Sequence, residues 1–576
     1  MLRNATCGQL RIGDVDREVT LCGWVSKVRN LGSLCFVDLR DTYGITQLNI
    51  DPDYFESHRL HSEDCVRVQG KVRLRSAPNP EMETGEIEIE VSSYEVLSAS
   101  KLPPFIVADR TDALEDTRLK WRYMDLRRPV LQRALKMRDK ALTAAREYLH
   151  SLSFTEIQTP TLIRSTPEGA RDYLVPSRLH LGHFYALPQS PQLYKQLLMV
   201  GGMDRYFQVA RCYRDEDQRS DRQPEFDQLD VEMSFCERDD LLDLAEGLVR
   251  RMFREAAGIE LPEFKRISYL EALSKYGTDK PDLRYELCIS DVDYLSDSGF
   301  KAFEGCAVRA IVIPGRGEAT SRKRMAQDQE ESAKFGIPHL MHLKREAGRW
   351  TNSSFKNFSE DSLERLNREL RGEDGDLAIL AADSDWKKAS RALGALRALY
   401  AEVLGLVTKG SYAPCFVVDW PLFERTDEGI ESLSNPFNSP VNSDIEKLWT
   451  DPLSVRSTSF DTVLNGVELS SGAVRIHDRK TQWRVFEILG LSERDIQERF
   501  GFFVEAFDYG FPPEGGFGLG VERLMMEMLG DNNIRDVVAF PKNVSGVEPM
   551  SQAPGTVPQE NLDVLGLRIL ESEENG

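Results

Sequence analysis

The stretch FQVARCYRDEDQRSDRQPEFDQLDVEMSF, residues 207–235, decides the fold. Two runs of strand character flank a polar turn crowded with Arg, Asp and Glu. Arg214 ends the first run, and Asp230 and Glu232 alternate along the return run. Side chains on a strand alternate faces with a period of two, so Arg214, Asp230 and Glu232 are expected in one cleft if they share a sheet face. As an isolated hairpin the stretch also reads as a solvated ribbon with surface ion pairs. Here the charges interrupt core-quality strands. Unpaired charges are costly to bury, which favours a charged ligand.

Working outward, GGFGLGVERLMMEML (515–529) is a glycine-rich strand running straight into an amphipathic helix, with Arg523 in the first turns. Glycines permit close approach of a planar or phosphate-bearing ligand, and an arginine can hold a phosphate. The stretch lacks GxxxxGK[ST], so it is no P-loop; seen alone it is also compatible with a simple strand–turn–helix. FTEIQTPTLIRSTPEGARDYLVPS (154–177) ends a helix, breaks at Pro160 and continues into a polar, glycine-bearing loop. That loop suits a mobile lid, or equally an ordinary surface loop.

The flanking sequence places this core in a larger, multidomain chain of 576 residues. VTLCGWVSKVRN, LCFVDLRD, GITQLNID, DCVRVQGKV and GEIEIEVSSYEVL alternate apolar and polar residues between turn signals. They predict a small, partly open β-barrel of the oligonucleotide-binding type. KLPPFIVADR is an extended linker, and the segment after it reads as helix. From about 285 to 410 the texture changes and the chemistry-bearing motifs pause, so we read an inserted α+β domain. The expected division is a barrel at 1–105, a linker at 106–135, a catalytic domain in two parts (136–284 and 413–548), the insertion at 285–412, and a C-terminal extension at 549–576.

Composition narrows the class. The chain is 41% hydrophobic and 29% charged, with a mean hydropathy of −0.40. No run approaches the roughly 18–20 apolar residues of a membrane span, and the N-terminal stretch has no apolar signal core. A cytoplasmic protein without membrane contact is therefore expected. Nine scattered cysteines with no CxxC pair argue against a disulfide framework or zinc site. A net charge of −21 makes a generic nucleic-acid binder improbable, although a local basic groove is compatible with it.

The three segments, in this order, resemble motifs 1, 2 and 3 of the class II aminoacyl-tRNA synthetases, carried by TEIQTP, by CYRDED with RQPEFDQLD, and by GLGVER. The barrel, with GWVSKVRNLGSLCFVDLRD, resembles the anticodon-binding domain of the aspartyl, asparaginyl and lysyl subgroup. STPEGARD (165–172), QSPQLYKQ (189–196) and ELSSGAVRIHD (468–478) resemble the aspartyl branch, as do the insertion entered through TDKPDLRYEL (278–287) and the extension AFPKNVSGVEPMSQAPG (539–555). The fold so implied is a multidomain α+β chain: an OB-type barrel, a catalytic domain on an antiparallel sheet with flanking helices, and an inserted α+β domain. The activity implied is aspartate–tRNA ligation, with ATP and Mg²⁺, acting on tRNA-Asp in a homodimer formed through motif 1.

The resemblance also implies site residues. Glu168, Ser190, Gln192, Lys195, Arg214, Asp230, Ser434 and Arg475 would bind aspartate. Arg214, Asp215, Glu216, Gln223, Phe226, Glu468, Gly520, Val521, Glu522 and Arg523 would bind ATP, with Phe226 stacking on adenine. Asp461 and Glu468 would hold Mg²⁺ through oxygen, although such an acidic pair can also be a solvated face. Arg29, Phe36 and Gln47 would contact the anticodon, and Phe36 is equally suited to a core role. Lys195 and Arg475 would face the substrate's second carboxylate, Arg214 the first, and Asp230 the amine, a charge pattern that rejects asparagine. That argument fails if either cation is buried against a permanent internal acid. Relatives carry His-His-Pro-Phe where this chain has Ser434-Asn435-Pro436-Phe437, which predicts a weaker or less pH-sensitive hold on aspartate. The alternatives are an enzyme charging both tRNA-Asp and tRNA-Asn, against which Leu31 weighs, a tRNA-free asparagine-forming ligase, and a non-catalytic paralogue.

Overall fold

The computed structural model describes residues 1–165, 170–427 and 429–570. They form two compact units: Met1–Lys136 with Arg535–Thr556, and Met137–Ile534 with the segment from Val557 onward.

In the first unit, β1 (Glu18–Asn30), β2 (Cys35–Asp41), β3 (Gly44–Ile50), β4 (Cys65–Leu74) and β5 (Ile87–Ser98) make a barrel in the order β1-β2-β3-β5-β4. The barrel is closed, where the sequence predicted a partly open one. A short parallel pairing of Leu48 and Asn49 in β3 with Ile89 and Glu90 in β5 completes it. Alternation fills its interior with Val19, Leu21, Val37, Leu39, Val66, Val68 and Ile89.

The expected boundary at 548 also moves, because the chain from Arg535 belongs to this first unit. Arg122, 2% exposed, donates to the backbone carbonyls of Arg535 (2.6 Å), Val538 (2.8 Å) and Ala539 (2.9 Å), and pairs with Asp125 at 2.6 Å. A buried guanidinium needs every donor satisfied, so these carbonyls are a structural requirement. The 106–135 segment is partly helical, with turns at Glu115–Lys120 and Arg122–Asp125.

The second unit is built on an eight-stranded sheet. Its strands are β6 (Thr155–Glu156), β9 (Arg205–Tyr213), β10 (Glu225–Ser234), β11 (Lys265–Ser268), β17 (Pro414–Val418), β20 (Phe460–Leu464), β21 (Val467–Val474) and β22 (Glu514–Gly520). They run in the order β11-β17-β20-β21-β22-β10-β9-β6. Pairing is antiparallel except at the two edges, β11–β17 and β6–β9. Helix Arg238–Ala257 packs on β21 and β22, and an αL residue, Gly258 at φ 69°, ends it. Two small ribbons pair β7 (Leu174–Pro176) with β8 (Phe184–Ala186) and β18 (Phe423–Thr426) with β19 (Gly429–Ser432).

Within this unit, β12 (Ile289–Asp291), β13 (Ala307–Ile313), β14 (Met341–Glu346), β15 (Arg349–Thr351) and β16 (Leu377–Asp383) form a separate sheet, ordered β12-β13-β16-β14-β15. It carries its own apolar cores, one around Ile311, Ile379, Leu393 and Leu396 and another around Leu343, Trp350 and Leu366. Among the described residues no helix is long and apolar enough to cross a membrane.

Candidate active site

The hairpin 207–235 becomes β9 and β10 toward the β6 edge of the large sheet, with β22 on the far side of β10. In register, Asp230 faces Gly518 and Glu232 faces Gly516. Leu229 and Val231 alternate with them and are wholly buried. A Cβ built on Gly516 would lie 2.0 Å from the Val231 carbonyl oxygen and 2.2 Å from the Glu232 carboxylate, and one on Gly518 would lie 3.2 Å from Asp230 Oδ1. These glycines were expected to make room for a ligand. They make room for two carboxylates of the neighbouring strand.

Above this part of the sheet is a cleft of about 600 Å³. Its lining includes Ser190, Gln192, Lys195, Arg214, Glu216, Gln223, Phe226, Asp230, Ser434, Glu468, Arg475, Gly520, Glu522 and Arg523. Most of the predicted aspartate and ATP residues, from separated stretches of chain, therefore meet in one place, while Asp215, Val521 and Asp461 are not among the lining residues. Glu168 lies outside the described residues.

At the inner end the charges are buried and tied together. Lys195, 1% exposed, reaches Asp230 Oδ1 at 2.9 Å, Glu232 Oε2 at 3.1 Å and the Phe517 carbonyl at 3.4 Å. Arg475 donates from Nε to Glu232 Oε1 (2.9 Å), from one terminal nitrogen to Asn438 Oδ1 (2.6 Å), and from the other to Glu232 Oε2 (3.4 Å) and the Gly516 carbonyl (3.1 Å). The expectation of two cations waiting for a substrate carboxylate is thus corrected: Glu232 bridges both. The sheet dictates this, since period-two alternation puts Glu232 beside Asp230 where two cations must be neutralised.

The cluster still offers groups to a ligand. A guanidinium has five N–H donors, and the four contacts of Arg475 leave one over. Asp230 Oδ2 and Gln192 Nε2 are buried without a hydrogen-bond partner. Burial pushes the Asp230 carboxyl up, against the pull of Lys195. Burial also raises Glu232, but Arg475 and Lys195 outweigh it and hold it below the ordinary range. Glu514, at the start of β22, is pushed well up by burial and then by Glu232. Both its carboxyl oxygens are buried without a partner.

Ser434 and Asn435 are committed locally. The Ser434 hydroxyl accepts from Asn438 Nδ2 at 3.0 Å and lies 3.2 Å from the Ser459 hydroxyl, while Asn435 Oδ1 accepts from the Phe437 amide at 3.0 Å. Asn438 also holds Arg475, so Ser434 acts on the guanidinium through one intermediary.

The outer end is looser. The Arg214 guanidinium sits over the Phe226 ring at 5.0 Å, and its Nε has no partner among the described residues. Glu216 pairs with Arg222 at 3.1 Å, and Asp215 with Arg171 at 3.6 Å. Gln223 is buried. Arg523 reaches Asp221 and the Glu468 carbonyl only at 3.4 Å. The Val521 side chain lies in the core, and the Glu522 carboxylate, although it lines the cleft, is taken by Arg138 (2.8 Å) and the Asp227 amide (3.1 Å).

Asp461 and Glu468 stand on adjacent strands. Asp461 is buried and pushed well up by burial and by Glu468. Glu468 lines the cleft and pairs with Lys280 at 2.6 Å. Burial opposes the Lys280 charge, but Glu468 prevails and raises its pKa. Among the described residues no group of three or more Asp, Glu, His or Cys is arranged for a metal. Sequence reasoning placed Glu232 in the cleft without giving it a role. It missed Lys280, Asn438 and Glu514, for which no spacing signal existed.

In the barrel, Arg29 pairs with Asp38 at 2.6 Å and donates to Gln47 at 3.1 Å, and Phe36 stands opposite Arg29 in register. Gln47 is buried, accepts from Arg75 (2.9 Å) and donates to Glu88 (2.7 Å).

Residues 114–544 match the family described as tRNA synthetases class II (D, K and N), and residues 19–97 match the OB-fold nucleic acid binding domain. The chain is 45% identical to the aspartate–tRNA ligase of Geobacillus kaustophilus, over 99% of each protein. It is 44% identical to the aspartate–tRNA(Asp/Asn) ligase of Treponema denticola, over 99% of this chain and 100% of the relative. The solved asparaginyl-tRNA synthetase of Pyrococcus horikoshii with asparaginyl-adenylate shares the fold, at 19% identity and a TM-score of 0.60 over 94% of this chain and 98% of that one. A hairpin-borne charged cleft, a closed OB barrel and these matches together lead to one assignment: the chain belongs to the class II tRNA synthetases of the aspartyl, asparaginyl and lysyl group.

Proposed function

We propose that the protein is an aspartate–tRNA ligase. It activates L-aspartate with ATP to aspartyl-adenylate and pyrophosphate, then transfers aspartate to the 3′ end of tRNA-Asp. The observation that carries this reading is the 44–45% identity with aspartate–tRNA ligases over nearly the whole chain. The charge count does not by itself select aspartate, because Glu232 neutralises Lys195 and Arg475. The cleft adds only an unused Arg475 N–H and the open Asp230 Oδ2 at one end, with Arg214 and Arg523 at the other.

In this reading the substrate ammonium goes to Asp230 Oδ2, the buried acceptor without a partner. The side-chain carboxylate goes to the spare N–H of Arg475, with Gln192 Nε2 beside the site. The α-carboxylate approaches Arg214. It attacks the α-phosphorus, an oxygen–phosphorus bond forms, and the bond to pyrophosphate breaks. Such transfers need positioning and charge neutralisation, and no protein nucleophile. Arg214 and Arg523 supply charge, and the Arg214–Phe226 stack fixes the guanidinium against the ring that receives adenine.

Asp461 and Glu468 suit Mg²⁺, which is typically held by one or two carboxylates plus substrate phosphates. Burial and then the neighbouring Glu468 charge push the Asp461 carboxyl up, and Glu468 itself holds Lys280, which supports a cation at this pair. Bound there, the metal would neutralise phosphate oxygens. The OB barrel, through Arg29, Phe36 and Gln47, would receive the anticodon. Dimerisation through the segment around Thr155–Pro160 and a cytoplasmic location complete the proposal; sedimentation would read the former.

Aspartate-dependent ATP–pyrophosphate exchange tests activation. No exchange, or equal exchange with asparagine, would overturn it. A second reading, in which tRNA-Asn is charged as well, is favoured by relatives of both names at 44% identity. Aspartylation of each purified tRNA separates the two.

A further inference from the structure

Lys280 stands in TDKPDLRYEL (278–287), on the segment joining helix Tyr269–Tyr276 to the inserted sheet, a stretch to which the sequence assigned no role in the cleft. Its ammonium nonetheless reaches into the cleft and pairs with Glu468 at 2.6 Å. The backbone beneath it is fixed. Arg397, on helix Trp386–Val403 of the inserted segment, donates to the carbonyls of Asp282 (2.7 Å), Tyr285 (3.0 Å) and Leu287 (2.5 Å). A Cβ on Gly466, in the turn between β20 and β21, would lie 3.7 Å from the Lys280 carbonyl. The base of the loop is thus anchored, while the Lys280 side chain is 38% exposed and able to swing.

We propose that Lys280 is a positioning residue that occupies Glu468, the cleft-lining member of the Asp461–Glu468 pair, until nucleotide arrives, so that the metal enters only together with ATP. This rests on the reading of Asp461 and Glu468 as the metal ligands. A divalent cation alone must displace the ammonium from Glu468 and give up that pair, leaving the ammonium to solvent. When the triphosphate is present its oxygens offer the ammonium a new anionic partner, and the exchange becomes nearly charge-neutral. The carboxylates are thereby kept apart from their own repulsion in the empty enzyme and released on demand. The inserted segment, through Arg397, sets where the ammonium stands.

The test is Mn²⁺ titration of the full-length protein without nucleotide, with free Mn²⁺ read by its EPR signal. Lys280→Met is expected to bind Mn²⁺ at least roughly tenfold more tightly than the wild type, and Lys280→Arg to behave as the wild type. Equal Mn²⁺ affinity in all three proteins would overturn the proposal. Repeating the titration with ATP keeps the two readings apart. Wild-type Mn²⁺ binding that Glu468→Gln abolishes upholds the carboxylate reading even where the Lys280 proposal fails. Mn²⁺ binding to Lys280→Met that survives Glu468→Gln overturns both. Circular dichroism of each variant excludes misfolding as the cause of a null result, and a raised KM for ATP in Lys280→Met is the accompanying kinetic sign.

Discussion

The two ends of the cleft are built on opposite plans. At the inner end, Lys195, Asp230, Glu232 and Arg475 are all less than 4% exposed and joined by contacts of 2.9–3.1 Å. At the outer end, Arg523 meets Asp221 at 3.4 Å with side-chain exposures of 27% and 44%, and Arg222 meets Glu216 at 3.1 Å with 43% and 35%. Buried pairs are rigid because breaking one leaves an uncompensated charge in a low-dielectric interior. Exposed pairs contribute about 0–1 kcal/mol and rearrange at little cost. The inner end therefore suits recognition of one small, charged amino acid. The outer end suits a large nucleotide whose phosphates arrive and leave.

The contrast is broken most directly by Arg475→Leu. Leaving Asp230 and Glu232 to share Lys195 alone should cost about 3–5 kcal/mol, seen as a large fall in Tm by calorimetry, together with loss of aspartate-dependent exchange. A small change in Tm would mean that Glu232 is not held as the geometry indicates. Arg523→Ala is the matching cut at the other end. Exchange should fall roughly 10²–10³-fold, the usual loss for one charge-stabilising donor. Stability should stay within about 0.5 kcal/mol, and an equal loss of Tm would erase the distinction between the two ends.

Glu514→Gln sharpens the comparison. Its carboxyl is raised in the folded state, first by burial and then by Glu232. The stability tied to its proton is therefore complete below the ordinary carboxylate range and is lost as pH rises through the folded value. Glutamine cannot ionise, so the variant should match the wild type at acid pH and overtake it in Tm toward neutral and alkaline pH. Parallel Tm–pH curves for the two proteins would contradict this. The smallest effect is expected in the barrel, where losing the half-buried Arg29–Asp38 pair makes Arg29→Ala cost about 1 kcal/mol. ATP–pyrophosphate exchange should be unchanged and tRNA charging weakened; a fall in exchange would refute that separation.

Much of the site was legible because strand periodicity is a local property. Alternation in 225–234 predicts Asp230 and Glu232 on one face, and β10 places them so. The barrel strands follow from the same rule. Which cations face those carboxylates was not legible in that way. Lys195 arrives on helix Gln192–Val200 and Arg475 just past β21, and only the assembled sheet shows Glu232 lying between them. The same holds for Glu522, whose carboxylate is claimed by Arg138, 384 residues earlier in the chain.

The sequence by itself determined the strands of the barrel and the catalytic sheet, the inserted α+β segment, the glycine-rich strand entering its helix, and the kinds of charge the cleft contains. These depend on side-chain periodicity and on motifs within about thirty residues. Tertiary structure alone decided which charges are partnered and which remain for a ligand. It also decided that Lys280 stands on Glu468 and that Arg122 ties 535–539 into the barrel-bearing unit. Pairing in a protein interior is settled by distance and desolvation, and both depend on residues hundreds of positions apart.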